Sequence, residues 1–511
     1  MGAGLERDAQ VIAGSRQDER EDEGGDPDGS QVDVPVDPDV AVPPPGFQVQ
    51  LDPRCMVSDD RRHIIGGSPT RLLNLSELAG GLLDADGRLT VHDRTTSQLA
   101  RKLLDAGVGH PRPMFGPTDT DVTVVVPVRD NQSGIDRLLP GLGGHKVIVV
   151  DDGSTVPIEA PGAQVIRLER SRGPAAARNR GAAHVDTELL AFLDSDVVPE
   201  HDWLTKLLGH FSDPKVALAA PRIVALEPGG GATSRYEALC SSLDMGRREG
   251  PVAPRSRIPY VPSAAMIVRR NCFSGFDESM EVAEDVDLCW RLHADGWSLR
   301  YDPIATVAHD HRHRLSKSLD RKRYYGTGAA LLSGRHPGMG APLALTVPMA
   351  AAMAALVTGT VWGVMAALVV FGVIGGRLHR RVSSMPDAAR TAAKLTAQSV
   401  GFGVLQSASA MCRHYWPLSI LLALVSKRFR LLLLTVAVGE AAYEWVRLEL
   451  VNPEPGARVG WWRFMVLKRL DDLAYGAGLW QGALAGRSID ALYPRISNTV
   501  STEARPRVAP R

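Results

Sequence analysis

The chain has 511 residues, 58 basic against 58 acidic, with 44% hydrophobic and 5% aromatic residues. That neutral balance argues against a general nucleic-acid binder, and no nucleic-acid partner is expected. Cys55, Cys240, Cys272, Cys289 and Cys412 form no Cys-x-x-Cys pair, which argues against a disulfide-stapled scaffold or a structural zinc module and suits a reducing compartment. At this length one domain with attachments is the expectation.

Residues 1–45 contain twelve acidic and three basic residues and end in Pro43-Pro44-Pro45. They bury too little apolar surface to offset ordering entropy, so a disordered acidic tail is expected, and no secretion signal opens it. Residues 47–113 differ. Ile64-Ile65 and Leu72-Leu73 read as short strands. Leu75, Leu78, Leu82 and Leu83, then Leu99, Leu103 and Leu104, mark two helical faces closed by Gly107 and Pro111. The mixture predicts a small winged-helix-like module.

From residue 120 to 335 the pattern is α/β. Apolar runs at 122–126, 146–150 and 189–193 predict buried strands, with a helix at 175–183. Residues 341–376 carry no charge over 36 positions, about 54 Å of helix against roughly 30 Å of hydrocarbon. A transmembrane hairpin turning near Thr358-Gly359-Thr360, or one long tilted span, is expected. Arg335, Arg377, Arg380 and Arg381 favour both ends on the cytoplasmic side. Residues 377–495 read as amphipathic, membrane-associated helices, where Lys427, Arg428 and Arg430 interrupt apolar runs and Trp461-Trp462 and Trp480 suit an interface. Residues 496–511 read as a loose tail.

Five constellations carry candidate chemistry. Asp151-Asp152-Gly153-Ser154 ends an apolar strand, where carboxylates can accept from a base or a ribose; Asp-Gly is also an ordinary turn. The Arg172-to-Gly181 segment offers a helix start and two arginines, Arg172 and Arg178, suited to phosphate. Asp194 and Asp196 share one face of extended backbone, and their repulsion calls for a hard cation, Mg²⁺ or Mn²⁺, bridging to a diphosphate, or else for a solvated turn. Glu284-Asp285-Val286-Asp287 leads into a helix, as caps or as a general base with a positioning partner. His309, His311 and His313 alternate along a strand, so one of them can complete a metal sphere or touch phosphate. No phosphate loop, no Gly-x-Ser-x-Gly elbow and no dinucleotide fingerprint is present.

In this order and spacing, the strand-Asp-Asp-Gly-Ser, the Arg-Gly-Pro-Ala-Ala-Ala-Arg-Asn helix, Asp-x-Asp and Glu-Asp-x-Asp-Leu resemble the family 2 glycosyltransferases over residues 120–335. The resemblance implies a GT-A type nucleotide-sugar-binding mixed sheet with flanking helices. It implies Asp151 or Asp152 on uracil, and Arg172, Arg178 and Asp194 on the donor. It further implies a metal at Asp194 and Asp196 with His309 assisting, and Asp285 as base of an inverting displacement with Glu284 positioning it. Tyr236, Arg222 and Trp290 are candidate wall residues. Val128-Arg129-Asp130 departs from the family pattern at the edge of the base pocket.

The whole chain is similar to the membrane-associated glycosyltransferases of mycofactocin biosynthesis, on the N-terminal module, the Glu284-to-Asp287 segment, Tyr324-Tyr325-Gly326-Thr327-Gly328-Ala329, His336-Pro337 and the apolar C-terminal part. That resemblance implies a UDP-glucose donor, a peptide-derived redox cofactor precursor as acceptor and a β-linked oligoglucose product. It also implies contact of residues 47–113 with a precursor peptide or a pathway enzyme. The expected location is the cell membrane, touching lipid, with the catalytic domain in the cytoplasm. A polyprenyl-phosphate or glycolipid glycosyltransferase with a lipid-linked acceptor, and an inactive membrane scaffold, are the alternatives.

Overall fold

The computed structural model describes residues 37–112, 114–311, 314–385 and 387–497. The tails expected at 1–45 and 496–511 fall outside these residues as far as 36 and from 498 onward, and so does His313. Residues 37–45 are ordered, correcting the inner edge of the expected tail: Ala41 is buried and Ser97 Oγ donates to the Pro43 carbonyl oxygen at 2.6 Å.

The N-terminal module runs β1 (Gln48–Leu51), β2 (Met56–Val57), β3 (His63–Gly66), β4 (Arg71–Asn74), α1 (Glu77–Gly81), β5 (Arg88–Thr90), α2 (Arg94–Asp105) and β6 (Gly109–Pro111). Two three-stranded sheets, β5-β1-β6 and β2-β3-β4, frame the two helices. Asp93 and Thr96 cap α2 reciprocally, and its apolar face of Leu99, Leu103 and Leu104 packs on Val49 and Leu89. Arg101 pairs with Asp213 at 2.8 Å and Arg300 meets His110 at 2.9 Å, so the module is fastened to the sheet that follows it.

That sheet uses β7 (Val122–Val128), β8 (Lys146–Asp151), β9 (Gln164–Arg167), β10 (Leu189–Leu193), β11 (Val197–Pro199), β12 (Val216–Ala225), β13 (Gly250–Pro251), β14 (Ala265–Arg269) and β15 (Ser298–His309). Its order is β11-β15-β12-β14-β10-β7-β8-β9, with β13 on β15. β10, β7, β8 and β9 are parallel, while β14 runs antiparallel to β10 and β12. Every residue of β7 and β10 is buried because helices cover both faces, which is why these strands read as unbroken apolar runs. The helices are α3 (Gln132–Leu138), α4 (Pro174–Ala182), α5 (Trp203–Leu208), α6 (Ala232–Cys240), α7 (Glu284–Ala294) and α8 (Leu315–Arg335). Parallel strands joined by right-handed crossovers bring the carboxyl ends of β7, β8 and β10 to one edge, and the acidic motifs follow those ends.

The C-terminal part comprises β16 (Ala344–Thr346), α9 (Val347–Val357), α10 (Val361–Arg381), α11 (Ala388–Ser409), α12 (Trp416–Val425), α13 (Lys427–Trp445), α14 (Trp461–Ala485) and β17 (Arg495–Ser497). α9 and α10 fold back on each other through Thr358, Gly359 and Thr360. Among the described residues α10 alone has the length and apolarity to cross a membrane; α9 and α12 are apolar but shorter. Eleven residues of α9 rise about 16 Å, half the hydrocarbon thickness. The apolar surface of these helices is open, with Trp362 84% and Val425 83% exposed.

α14 lies along α8 with backbones nearly touching. A methyl group on Gly478 would sit 1.8 Å from the Arg323 carbonyl oxygen, and one on Gly326 would sit 2.2 Å from that of Tyr475. Glycine at both positions is what permits that approach. The C-terminal helices are therefore packed against the helix that walls the site.

Candidate active site

The acidic motifs converge on one cavity of about 1030 Å³. Part of its wall is formed by Val128, Arg129, Asp152, Ser171 and Gly173. The Asp152 carboxylate accepts from Arg172 N at 2.7 Å, Ser171 Oγ at 2.7 Å and Gly173 N at 3.0 Å, locking the loop before α4 against the end of β8. Gly153 turns at φ 68°, and a side chain there would strike Ser171 N, so the sharp turn and the close loop explain the glycine together. Arg129 donates to Ser171 Oγ at 3.0 Å and the Asp130 carboxylate accepts from Thr155 N at 2.7 Å; these two stand where the family pattern differs.

Two sequence expectations are corrected here. Asp151 is fully buried and does not line the cavity: it accepts from Ser154 N at 2.8 Å and Ile158 N at 3.3 Å and pairs with Arg167, and these partners hold its carboxyl below the ordinary range despite burial. The next residue, Asp152, alternates to the other face and lines the cavity instead. Arg172 contributes its backbone N–H, whereas its guanidinium is 63% exposed and reaches Glu278 at 3.5 Å, outside the cavity wall. Of the candidate wall residues Trp290 lines the cavity, while Arg222 pairs with Asp244 at 2.7 Å and the Tyr236 hydroxyl donates to Asp471.

Arg178 organises the centre. α4 buries it beneath the cavity floor, donating to Asp194 Oδ1 at 2.5 Å and Glu284 Oε1 at 3.0 Å. Burial opposes its charge, but Asp194, Glu284 and Asp285 outweigh that and hold its pKa above the ordinary value. One guanidinium thus joins the end of β10 to the start of α7. The next residue, Asn179, accepts from Phe276 N and donates to Phe276 O, both at 2.8 Å, and so fixes the loop leading to Glu284.

Asp285 accepts from Ser263 N at 3.2 Å and Val286 N at 2.8 Å at the first turn of α7. Enclosure, and then the Glu284 charge, push its carboxyl up to about 7. Ala283 before it is held at φ 66°, a left-handed conformation unfavourable for alanine, with Gly328 of α8 packed beneath. Asp287 is not a second base: it is buried between Arg291 at 2.7 Å and His336 at 2.9 Å.

Asp194, Asp196 and His309 line the cavity together. Asp196 Oδ2 lies 3.5 Å from His309 Nε2, its buried Oδ1 has no partner among the described residues, and His309 Nδ1 meets His311 Nδ1 at 2.8 Å. Burial raises the Asp196 carboxyl, and nearby Asp194 raises it further against the help of His309. Asn131 Nδ2 fastens this loop by donating to Ser195 Oγ at 3.1 Å. Among the described residues no three carboxylate, thiol or imidazole groups form a ready-made metal cage. An orphaned, buried carboxylate oxygen beside a second carboxylate and an imidazole nevertheless fits a hard divalent cation that takes its other ligands from phosphate and water.

Sequence reasoning missed α8 as a wall. Arg321, Tyr324 and Tyr325 all line the cavity; Arg321 Nε donates to the Tyr325 hydroxyl at 2.9 Å and senses the charge of Asp194. A cation three and four residues before two tyrosines was the available signal.

The family described as Glycosyl transferase family 2 matches residues 123–275, from β7 to just past β14. Fold and site together define a nucleotide-sugar-dependent glycosyltransferase of the GT-A type. Across 463 residues the chain is 49% identical to the pre-mycofactocin glycosyltransferase of Mycobacterium tuberculosis, covering 89% of this chain and 98% of that one. It is 27% identical over 251 residues to the succinoglycan biosynthesis protein ExoU of Rhizobium meliloti, covering 43% and 72% respectively. Among solved structures, S. aureus TarS 1-349 in complex with UDP-GlcNAc matches at 19% identity and TM-score 0.31, covering 41% of this chain and 66% of that one. GalNAc-T7 with UDP, GalNAc and Mn²⁺ matches at 14% identity and TM-score 0.32, covering 44% and 52%. The chain belongs to the family of the pre-mycofactocin glycosyltransferase, within the family 2 glycosyltransferases.

Proposed function

We propose that this enzyme is an inverting hexosyltransferase that moves glucose from UDP-glucose onto pre-mycofactocin, a peptide-derived redox cofactor precursor, and repeats the step to build a β-linked oligoglucose. Near full-length identity to the pre-mycofactocin glycosyltransferase supports the acceptor. The observation that carries the chemistry is Asp285, a carboxyl raised to about 7 on the wall of the cavity that Asp194 and Asp196 also line.

Asp152 and the loop it fastens hold the uracil end. Arg321 stands beside the diphosphate, and Arg178 keeps Asp194 and Glu284 at fixed separation. Mg²⁺ or Mn²⁺ held by Asp194 and Asp196, with His309 at its edge, supplies positive charge against the leaving diphosphate when bound. Asp285 takes the proton of the acceptor hydroxyl as that oxygen attacks the anomeric carbon from the face opposite the diphosphate. The exposed apolar surface of α10 and α12 supports attachment to the cell membrane, with the catalytic domain on the cytoplasmic side. Residues 47–113 are a candidate contact for a precursor peptide or a pathway enzyme.

Incubating the purified protein with UDP-glucose and small-molecule extract, and reading by mass which compound gains a hexose, tests this. A hexose-bearing redox cofactor precursor with wild type, absent with Asp285→Asn, is expected; a hexose appearing only on polyprenyl phosphate or glycolipid would replace the acceptor.

A further inference from the structure

The catalytic cavity is also lined by Arg255 and Arg495. Among the described residues neither guanidinium has a carboxylate within ion-pair reach. Arg495 donates to the Gly338 carbonyl oxygen at 3.4 Å, and Arg255 Nε is buried without a partner. Burial, and then the like charge of Arg495, pull the Arg255 pKa below its ordinary value. Its backbone is held at φ 61°, a conformation that disfavours a residue with a side chain. Two cations that repel each other, one of them partly withdrawn from water, are less favourable unless an anion joins them.

The surroundings say where that anion comes from. β17 pairs in parallel with β16, setting Arg495 beside Ala344 and Ser497 beside Thr346, and the next residue, Val347, starts α9. Leu345 is buried with Met349 and Ala352 of the apolar hairpin, so this small sheet and the hairpin move as one. Three residues of strand span about 10 Å, close to the roughly 5–8 Å depth of one headgroup layer. Because β16 runs directly into α9, a hairpin lodged in the membrane would put Arg495, beside Ala344, within three strand residues of its edge. The donor diphosphate has other partners in the function proposed above, Arg321 and the Asp194–Asp196 pair.

We propose that Arg255 and Arg495 form an anion subsite in the wall of the catalytic cavity, and that it holds the phosphate of an anionic membrane lipid. A guanidinium fork matches a phosphate with two parallel hydrogen bonds, which a single lysine cannot reproduce. The inference rests on the membrane attachment proposed above.

Vesicle flotation of the full chain tests it, with phosphatidylcholine alone and with phosphatidylglycerol added. Wild type is expected to float with both and to bind the anionic vesicles about tenfold or more tighter. Arg255→Gln/Arg495→Gln is expected to float with phosphatidylcholine as wild type does while losing most of that preference. Arg255→Lys/Arg495→Lys, which keeps the charge, is expected to recover part of it. Arg428→Gln/Arg430→Gln removes two exposed cations elsewhere and is expected to lower the preference only slightly. Equal losses from the two glutamine pairs would mean diffuse attraction and overturn the site. Inorganic phosphate binding wild type but not the glutamine pair, with the two proteins showing the same vesicle preference, would assign the subsite to free phosphate and overturn the lipid. Failure of wild type to float with any vesicle would overturn the membrane attachment itself, an outcome separate from the other two.

Discussion

Arg178 lies 2.5 Å from Asp194, with a guanidinium that is only 4% exposed. The same guanidinium reaches Glu284 at 3.0 Å, so the start of α7 and the end of β10 share one buried cation. Removing one partner of a buried pair leaves uncompensated charge.

Arg178→Met is therefore expected to lower stability by about 3 kcal/mol and to abolish transfer. Arg178→Lys keeps the charge but lacks the fork that serves two carboxylates, so it should lose most activity with a smaller loss of stability. Denaturant midpoints and turnover, measured on the same preparations, check both; wild-type-like stability in the methionine variant would contradict the bridging role.

Asp285 sets a pH window. A base works deprotonated, so kcat/KM should rise as pH increases through about 7. Asp285→Asn should lower turnover by about 10²-fold or more, leave the donor KM near wild type and lose this acid limb. The folded carboxyl holds its proton up to about 7 whereas the unfolded one releases it near 3.8, so the native state binds more protons between those values. Stability should fall with rising pH across that window, and Asp285→Asn should flatten the dependence.

Asp196→Asn and His309→Ala separate the metal edge from the base. The first removes a carboxylate charge from the orphaned oxygen and should raise the Mn²⁺ concentration needed for half-maximal donor turnover by about tenfold or more. The second should raise it less, because imidazole stands at the rim of the donor set. Chelation should abolish wild-type turnover and Mn²⁺ should restore it; activity indifferent to both treatments would remove the ion from the reaction.

Asp152 and Arg172 give a contrasting pair. Asp152→Asn weakens the charged acceptor of three hydrogen bonds and should raise the donor KM about tenfold. Arg172→Ala, whose guanidinium points to solvent, should change that KM less than about twofold. Equal effects in steady-state kinetics would restore Arg172 to the donor site.

Much of this site was legible in the sequence because its chemistry is local. Asp194, Asp196 and the Glu284-Asp285 step each sit at the end of a strand or the start of a helix, where burial and spacing mark them. Asp151 and Asp152 were not separable, since choosing between them needs the pleat of β8 and the path of the loop at 171–173. Arg172 looked like a phosphate ligand because a helix start and a basic residue coincide, yet only its amide turns inward. Arg321, Tyr324 and Tyr325 offered only the spacing of a cation before two tyrosines, because their place on the cavity wall depends on α8 being laid across the acidic edge, a contact far apart in sequence. The helices after residue 340 were readable as apolar but not as walls, because hydropathy cannot say that α14 presses on α8.

That last contact decides how the enzyme can be handled. With glycine-to-backbone seams such as Gly478 against Arg323, a fragment ending near residue 335 would leave the Arg321 helix bare along its whole rear side. Such a fragment is not a soluble miniature of the enzyme. Cutting away the greasy C-terminal third to ease purification would remove the splint that keeps the cavity wall upright, so detergent or nanodisc preparations of the whole chain are the sound starting material.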